Sequence, residues 1–301
     1  MTTPELRPLS VGEIVDVAVK LYRRHALTLF KVVAVVVIPV AILNILITLS
    51  TAPDPGAVTD LATTPSGTLP DLGPLYGFLA GTLVSAFISF LAATLATGAC
   101  FKAITDAYLG HEPDSNDSLS FAGRRLGSLV WVSFLGSLIV GLGFLLLIVP
   151  GIYLGVAFSV AVPVLLMESH RGKSALGRSR DLVRGRWWPV LGTIVLGFIL
   201  QAIVAAIVQG ILQGILLTGA GESLVTTTIV VGFSNVVASI LTTPLQAALI
   251  TVLYLDLRVR KEGFDLALLA EDMGRSDGPG PVSPHTYGPT APPPPQGPPG
   301  R

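Results

Sequence analysis

The chain has 301 residues, 51% of them hydrophobic and 13% charged, and its formal net charge at pH 7 is +0. Soluble domains average about 25% charged residues, so this composition excludes an ordinary soluble protein and indicates a membrane protein. The balanced charge gives no indication of nucleic-acid binding, and the single cysteine, Cys100, excludes an internal disulfide framework.

An amphipathic segment at residues 10–25 precedes the first long apolar stretch. Ser10 and Glu13 have the spacing of a capping box, in which each side chain accepts a hydrogen bond from a backbone amide near the other residue. The apolar residues that follow recur at helical spacing and form one stripe. This pattern predicts an interfacial helix that lies in the headgroup layer or packs beneath a bundle.

Six apolar stretches are long enough to cross a bilayer, whose hydrocarbon core of about 30 Å needs roughly 20 helical residues. The third and fourth are separated by a predicted break at Pro150–Gly151, and we expect Pro163 and Pro244 to bend the helices that contain them. The sequence therefore predicts an all-α, polytopic membrane bundle of about six transmembrane helices with cytoplasmic amphipathic helices. The predicted spans are residues 27–49, 75–97, 129–149, 152–167, 189–218 and 224–255.

The basic residues give this bundle a predicted orientation. The loops at residues 50–74 and 219–223 contain acidic residues but no base, so all nineteen Lys and Arg residues fall in the other segments. Cytoplasmic loops retain Lys and Arg during insertion, which predicts that both termini are cytoplasmic. A re-entrant hairpin in place of the spans within residues 129–167 gives the same charge placement, so this alternative stays open.

A basic segment precedes the fifth span and carries the main candidate contacts. Residues 171–186 hold six bases against one acid, Asp181, and Trp187–Trp188 are typical of a membrane interface. This pattern predicts a second interfacial helix at residues 174–188. Its basic residues either bind anionic lipid headgroups or serve only to keep this loop on the cytoplasmic side during insertion. The charged motif after the sixth span either binds a headgroup or protein partner or pairs within the protein. The candidate lipid or partner contacts are Arg178, Arg180, Arg184, Arg258, Arg260 and Lys261.

Small residues recur every four positions along the second span, and a shorter version occurs in the fifth. Such a row allows another helix to approach closely, either within the bundle or in a dimer. The predicted packing residues are Gly73, Gly77, Gly81, Ser85, Ser89, Gly210 and Gly214.

The predicted spans contain only uncharged polar residues near their centres, including Asn44, Gln209 and Asn235. Ion-coupled transporters usually need an ionisable group there, so classical coupled transport is disfavoured, although lipid movement is not. Phosphate-binding, zinc-protease and serine-hydrolase motifs are also missing from the sequence. We therefore expect a protein that is not an enzyme and uses no metal or cofactor.

Four stretches of the sequence resemble a known family. They are RPLSVGEI at residues 7–14, PGIY at 150–153, RSRDLVRGRWW at 178–188 and YLDLRVRKEGFDL at 254–266. Together they resemble a bacterial multi-pass family of unknown function related to the membrane domain of glycerophosphoryl diester phosphodiesterases. The resemblance covers roughly residues 5–267 and implies a helical bundle in a bacterial plasma membrane. The phosphodiesterase activity belongs to a separate soluble barrel of about 250 residues, for which this chain has no room.

These observations predict four regions. Residues 1–26 are a cytoplasmic amphipathic segment, residues 27–256 a six-span membrane domain, residues 257–273 a cytoplasmic charged motif, and residues 274–301 a disordered Pro- and Gly-rich tail.

The first functional hypothesis is a non-enzymatic protein that organises or regulates at the cytoplasmic membrane face. The alternative is a lipid-handling permease or flippase. The expected partners are membrane lipids, including anionic headgroups, and a protein at the cytoplasmic face, but not nucleic acid.

Overall fold

The computed structural model describes residues 9–52, 72–168, 172–219 and 224–262, and within these ranges the regular structure is all α-helical. The loop at 53–71, the charged residues 263–273 and the predicted disordered tail lie outside the described residues. The helices are α1 (Val11–Arg24), α2 (Ala26–Thr51), α3 (Gly73–Tyr108), α4 (Ser115–Arg124), α5 (Leu126–Leu146), α6 (Ile148–Ala157), α7 (Ala161–Met167), α8 (Lys173–Val183), α9 (Trp187–Gly219) and α10 (Leu224–Glu262).

The amphipathic helix α1 begins as the sequence predicts. Ser10 is its N-cap, and the capping box is confirmed: the Ser10 amide donates to Glu13 Oε2 at 2.7 Å and the Glu13 amide donates to Ser10 Oγ at 3.4 Å. Ile14 and Ala18, on the apolar face, are buried against the bundle. The helix thus packs onto the bundle through the stripe that the spacing identified.

Six segments of the described structure are long and apolar enough to cross a membrane, which confirms the predicted helical membrane bundle. Large apolar side chains project outward from them; Leu83, for example, is 71% exposed and Phe198 70% exposed. Such apolar surfaces are unfavourable in water, and they are not buried in the core of the protein. They are therefore suited to contact with the acyl chains of a bilayer. The segments are α2, α3, α5, α6 with α7, α9 and α10.

The dense core surrounds the second half of α10. Leu253, Tyr254 and Leu257 are each at most 2% exposed, and the core around them also includes residues of α1, α2, α3 and α7. The short helices α1, α4 and α8 lie around this end of the bundle, together with most of the described ionic contacts. We call it the charged end.

The break between the third and fourth apolar segments is displaced from its predicted position. The helix is interrupted at Leu147 rather than at Pro150–Gly151, and Pro150 lies in the first turn of α6. Proline is tolerated there because the first amides of a helix have no partner within the helix. Pro163 is likewise in the first turn of α7, after an interruption at residues 158–160, whereas Pro244 lies within the continuous α10.

The predicted second interfacial helix is shorter than residues 174–188. It ends at Val183, and Gly185 follows with a φ of 87°, a conformation that favours glycine. Trp187 and Trp188 therefore belong to the first turn of α9 instead. The last helix, by contrast, continues past residue 256 to Glu262, so the first part of the predicted charged motif is the end of a span.

Candidate functional site

Three of the six predicted contact residues form ion pairs inside the protein. At the end of α7, Glu168 accepts hydrogen bonds from Arg178 Nε at 2.7 Å and Tyr254 Oη at 2.9 Å. Arg258 Nε lies 3.7 Å from the same carboxylate, and Glu262 contacts both Arg178 and Arg258. These residues, which we call the Glu168 cluster, join α7, α8 and α10.

A second cluster fixes the segment before α1 to α10. The Leu9 amide donates to Asp256 Oδ1 at 2.7 Å, and Arg260 Nη2 donates to the Leu9 carbonyl at 2.6 Å. Arg260 Nε also contacts both carboxylate oxygens of Asp256, at 3.0 and 2.9 Å. The Asp256 side chain is only 5% exposed, so this pair compensates a largely buried charge.

The other predicted contacts differ in their surroundings. Lys261 Nζ donates to the backbone carbonyl of Asp181. Arg180 and Arg184 are exposed and form no ion pair within the described part of the chain. Trp188, nearby in sequence, is 76% exposed. The structure therefore leaves Arg180 and Arg184 accessible at the surface, whereas Arg178, Arg258 and Arg260 are occupied by acidic partners.

His25, which separates α1 from α2, has a pKa below its ordinary value of 6.5. Burial is the main cause, because it penalises the charged imidazolium, and the positive charge of Arg24 acts in the same direction. Glu112 opposes the shift. We therefore expect a neutral imidazole at this junction at pH 7.

The row of small residues on α3 changes its surroundings along the helix. Gly81 is buried, and a Cβ there would lie 2.5 Å from Thr51 Oγ1 of α2, so the two helices approach closely. Farther along, Asn44 Nδ2 of α2 donates to Ser89 Oγ at 2.8 Å, while Ser85 Oγ is buried without a described partner. Gly73 and Gly77 are exposed. On α9, no described atom lies within 4 Å of a Cβ placed on Gly210 or Gly214.

A cleft of about 560 Å³ lies between α2, α3 and α10. Ile45 of α2 reaches the backbone of α10 at Gly232, where an added Cβ would lie 2.8 Å from Ile45 Cδ1. Cleft-lining residues Ala93, Thr227 and Asn235 are exposed, so the cleft is open at the surface of the spans. Its volume falls within the roughly 300–1,000 Å³ typical of small-molecule sites.

Uncharged polar groups and aliphatic side chains together line this cleft. Asn44 Oδ1 is buried and has no hydrogen-bond partner among the described residues, although its amide nitrogen donates to Ser89. No Asp, Glu, Lys, Arg or His is among the lining residues. The polar lining residues are Asn44, Thr48, Ser89, Thr227, Thr228, Asn235, Ser239 and Thr243.

The sequence identified Asn44 and Asn235 as polar residues within spans but did not bring them into one site. The threonines of α10 were missed, because a threonine in a span commonly bonds its own helix backbone, as Thr242 does with the Ala238 carbonyl. Glu168 was also missed, since a single acid at the end of an apolar run carries no pattern. Among the described residues, no group of three or more His, Cys, Asp or Glu side chains could hold a metal ion.

Residues 126–275 match the model of a domain of unknown function, DUF8558. The match extends from the start of α5 past the end of α10, so it includes the Glu168 cluster and one wall of the cleft. No curated protein and no solved structure matches the chain at a significant level. The comparisons provide no link to the membrane domain of glycerophosphoryl diester phosphodiesterases, so that resemblance stays a prediction.

Proposed function

We propose that the protein is a lipid-handling membrane protein that holds a neutral lipid in the cleft between α2, α3 and α10. The observation that carries this proposal is the cleft itself, which is open at the surface of the spans and lined by uncharged polar groups such as Asn235 and Thr227 together with aliphatic side chains. Unpaired polar groups are costly in a hydrocarbon environment, and a hydrogen-bond donor from a bound molecule would reduce that cost. A lipid hydroxyl supplies such a donor at the end of an apolar body.

The lining of the cleft supports the chemical class of this lipid. Because no charged side chain lines the cleft, a phosphate or ammonium headgroup would be desolvated there without a counter-charge. A lipid with hydroxyl or amide groups loses less, since Asn, Ser and Thr side chains both donate and accept hydrogen bonds. We therefore propose a neutral, hydroxyl-bearing lipid such as a diacylglycerol. Binding of this kind needs neither a cofactor nor a catalytic residue, so the proposed role is non-enzymatic.

Native mass spectrometry of the full chain, released from membranes in mild detergent, tests the proposal. We expect one neutral lipid retained per chain. Asn235→Leu should weaken retention about fivefold to tenfold, because Asn235 is an exposed polar residue of the cleft and a neutral hydrogen bond contributes about 1 kcal/mol. Ala93→Phe, which adds a ring inside the cleft, should abolish retention. Equal retention in both variants and in the wild type would contradict the proposal.

Two matched controls accompany this experiment. Thr82→Val removes a hydroxyl from an exposed position of α3, where the side chain donates to the Phe78 carbonyl. Ala80→Phe adds the same ring as Ala93→Phe, but at an exposed position outside the cleft. Both controls should retain the lipid as the wild type does. Loss of lipid from the controls would show that the change acts on the fold and not on the cleft.

A second candidate function is supported by a different observation. Arg180 and Arg184 are exposed at the charged end, and Trp188, which follows them in the sequence, is also exposed; this suits a protein that organises or regulates at the membrane surface. In this proposal the membrane is a bacterial plasma membrane, both termini are cytoplasmic, and these bases contact anionic headgroups or a protein partner. Charge reversal at both positions should remove co-purifying anionic lipid or protein; unchanged co-purification would argue against this role.

A further inference from the structure

The helical hairpin formed by α5 and α6 ends in an apolar tip. Leu145, Leu146, Leu147, Ile148 and Val149 are between 68% and 83% exposed, and all five are consecutive. The chain reverses at Leu147, and no polar side chain lies in this run. The tip is therefore an apolar surface whose surroundings depend on how far the hairpin extends into the bilayer.

The two arms of the hairpin are packed tightly near the tip. A Cβ on Gly143 would lie 3.1 Å from the Gly151 Cα, and a Cβ on Gly151 would lie 2.5 Å from the Phe144 ring. Farther from the tip, Gly155 faces Val140 at 3.8 Å. These contacts make α5 and α6 one rigid antiparallel pair, so the position of one arm fixes the depth of the tip.

Contacts of α6 limit this depth. Ser179 Oγ of α8 donates to the Ala157 carbonyl at 2.8 Å. Ala157 is ten residues after Leu147, so this contact lies about 15 Å from the tip along the helix. The Tyr153 ring stacks on Trp187 with centroids 6.2 Å apart, and Tyr153 is only about 9 Å from Leu147 along the helix. The tip thus extends about 10–15 Å beyond α8 and the start of α9.

Helix α8 cannot lie in hydrocarbon, because Arg180 is exposed on it and Arg184 is exposed immediately after its last residue. Crossing a core of about 30 Å from the level of α8 would need roughly 20 helical residues, whereas α6 supplies ten. Helix α9, which starts at the same level, has 33 residues.

The arm α5 has 21 residues, enough by length and composition to cross. Its first half lies alongside the segment that contains α8, however. A Cβ added to Gly136 would lie 3.6 Å from Leu176 Cδ2. A Cβ added to Gly172 would lie 3.5 Å from Trp131 Nε1. Only the second half of α5 extends beyond α8, which agrees with the limit set by α6.

We infer that the α5–α6 hairpin enters and leaves the bilayer on the face of the charged end, and that its tip inserts among the acyl chains of that leaflet. The backbone at the tip suits this position. Pro150 has no amide hydrogen to satisfy, and the Gly151 amide donates to the Leu147 carbonyl at 3.3 Å. Four helices, α2, α3, α9 and α10, then cross the membrane.

Single-cysteine labelling of the full chain in membrane vesicles tests this inference. In a Cys100→Ala background, Leu147→Cys and Val149→Cys probe the tip, Gly177→Cys probes the exposed face of α8, and Ala52→Cys probes the far end of α2. A membrane-impermeant maleimide is applied to right-side-out and to inverted vesicles. The two controls should react from opposite sides, and this fixes the orientation of the protein.

We expect both tip cysteines to react at least about tenfold more slowly than the controls from either side, because a thiol in hydrocarbon does not form the reactive thiolate. A nitroxide attached at the tip should then collide with oxygen more often than with a water-soluble nickel chelate. Rapid labelling of the tip from the Ala52 side would show that the hairpin crosses. Rapid labelling from the Gly177 side, or a nitroxide inaccessible to both agents, would place the tip in water or inside protein. Each of these three results would overturn the inference.

Discussion

The Glu168 cluster gives a prediction whose size follows from its geometry. In Glu168→Gln the negative charge between Arg178 and Arg258 is lost, while the shape of the side chain is nearly unchanged. The Glu168 side chain is 10% exposed, so solvent screens this charge poorly. Breaking a buried ion pair costs about 3–5 kcal/mol, and the substituted amide retains one acceptor, so we expect a loss of about 3 kcal/mol.

Thermal unfolding in detergent, followed by tryptophan fluorescence, measures this loss. A change of about 3 kcal/mol should lower Tm by about 6 °C, taking roughly 2 °C per kcal/mol for a chain of this size. Asp16→Asn is the matched control, because it makes the same chemical change in a surface pair with Lys20 whose side chains are 60% and 73% exposed. That variant should change stability by less than about 0.5 kcal/mol.

A double-mutant cycle separates the ion pair from other effects of the substitution. If Glu168 and Arg178 stabilise each other, the double variant that combines Glu168→Gln and Arg178→Gln should lose less unfolding free energy than the two single variants lose together. The difference should be at least about 1 kcal/mol. Equal Tm values for Glu168→Gln and Asp16→Asn, or strictly additive losses, would refute the assignment of the cluster as a structural tie between α7, α8 and α10.

Two further predictions concern the hairpin and the junction before α2. Gly151→Ala should destabilise the protein by about 1–3 kcal/mol, because the new methyl group overlaps the Phe144 ring. Gly141→Ala, where no atom lies within 4 Å of the new methyl group, should be neutral or slightly stabilising. A fall in Tm for Gly151→Ala alone would agree with both expectations. His25 should titrate below 6.5 in histidine NMR spectra, and Arg24→Gln should raise its pKa; an unchanged pKa would contradict the assigned charge effect. Because the folded pKa of His25 is depressed, its contribution to stability is full above pH 6.5 and is lost as the pH falls through the lowered pKa.

Local patterns in the sequence predicted the elements well. The capping box of Ser10 and Glu13 and the apolar stripe after it need only neighbouring residues, so α1 was identified closely. The apolar runs likewise predicted the membrane-spanning segments, because hydropathy and length are local properties. Pro150 misled the prediction, since proline was taken as the break although the first turn of a helix accepts it.

The candidate sites depended on distances that the sequence does not contain. The charged motif on α10 was expected either to bind a headgroup or protein partner or to pair within the protein. Its Glu262 pairs with Arg178 of the basic segment, but no pattern indicated that Glu168, at the end of an apolar helix, would lie beside Arg258. Helix α3 approaches α2 closely at Gly81, helix α10 approaches α2 closely at Gly232, and the cleft lies among the three helices. No spacing within a single helix predicts such an arrangement.

The inferred position of the hairpin bears on how many of the six apolar segments cross the membrane. Its arms are apolar enough to span, but part of that apolar surface packs on α8 and the tip is short. Exposing five apolar side chains at the tip to water would cost on the order of 10 kcal/mol, at about 2 kcal/mol for each side chain. A tip within the acyl chains avoids this cost, and this is a further ground on which we infer four crossings and one inserted hairpin.

The central claim is that a neutral lipid occupies the cleft between α2, α3 and α10, and photocrosslinking tests it most directly. The full chain in vesicles is irradiated with a diacylglycerol that carries a diazirine in its acyl chain, and the modified peptides are located by mass spectrometry. The account predicts modification concentrated on residues 37–48, 89–96 and 227–243, competed by unlabelled diacylglycerol and lost in Ala93→Phe. Modification spread evenly over the exposed faces of all spans, with no competition, would contradict it.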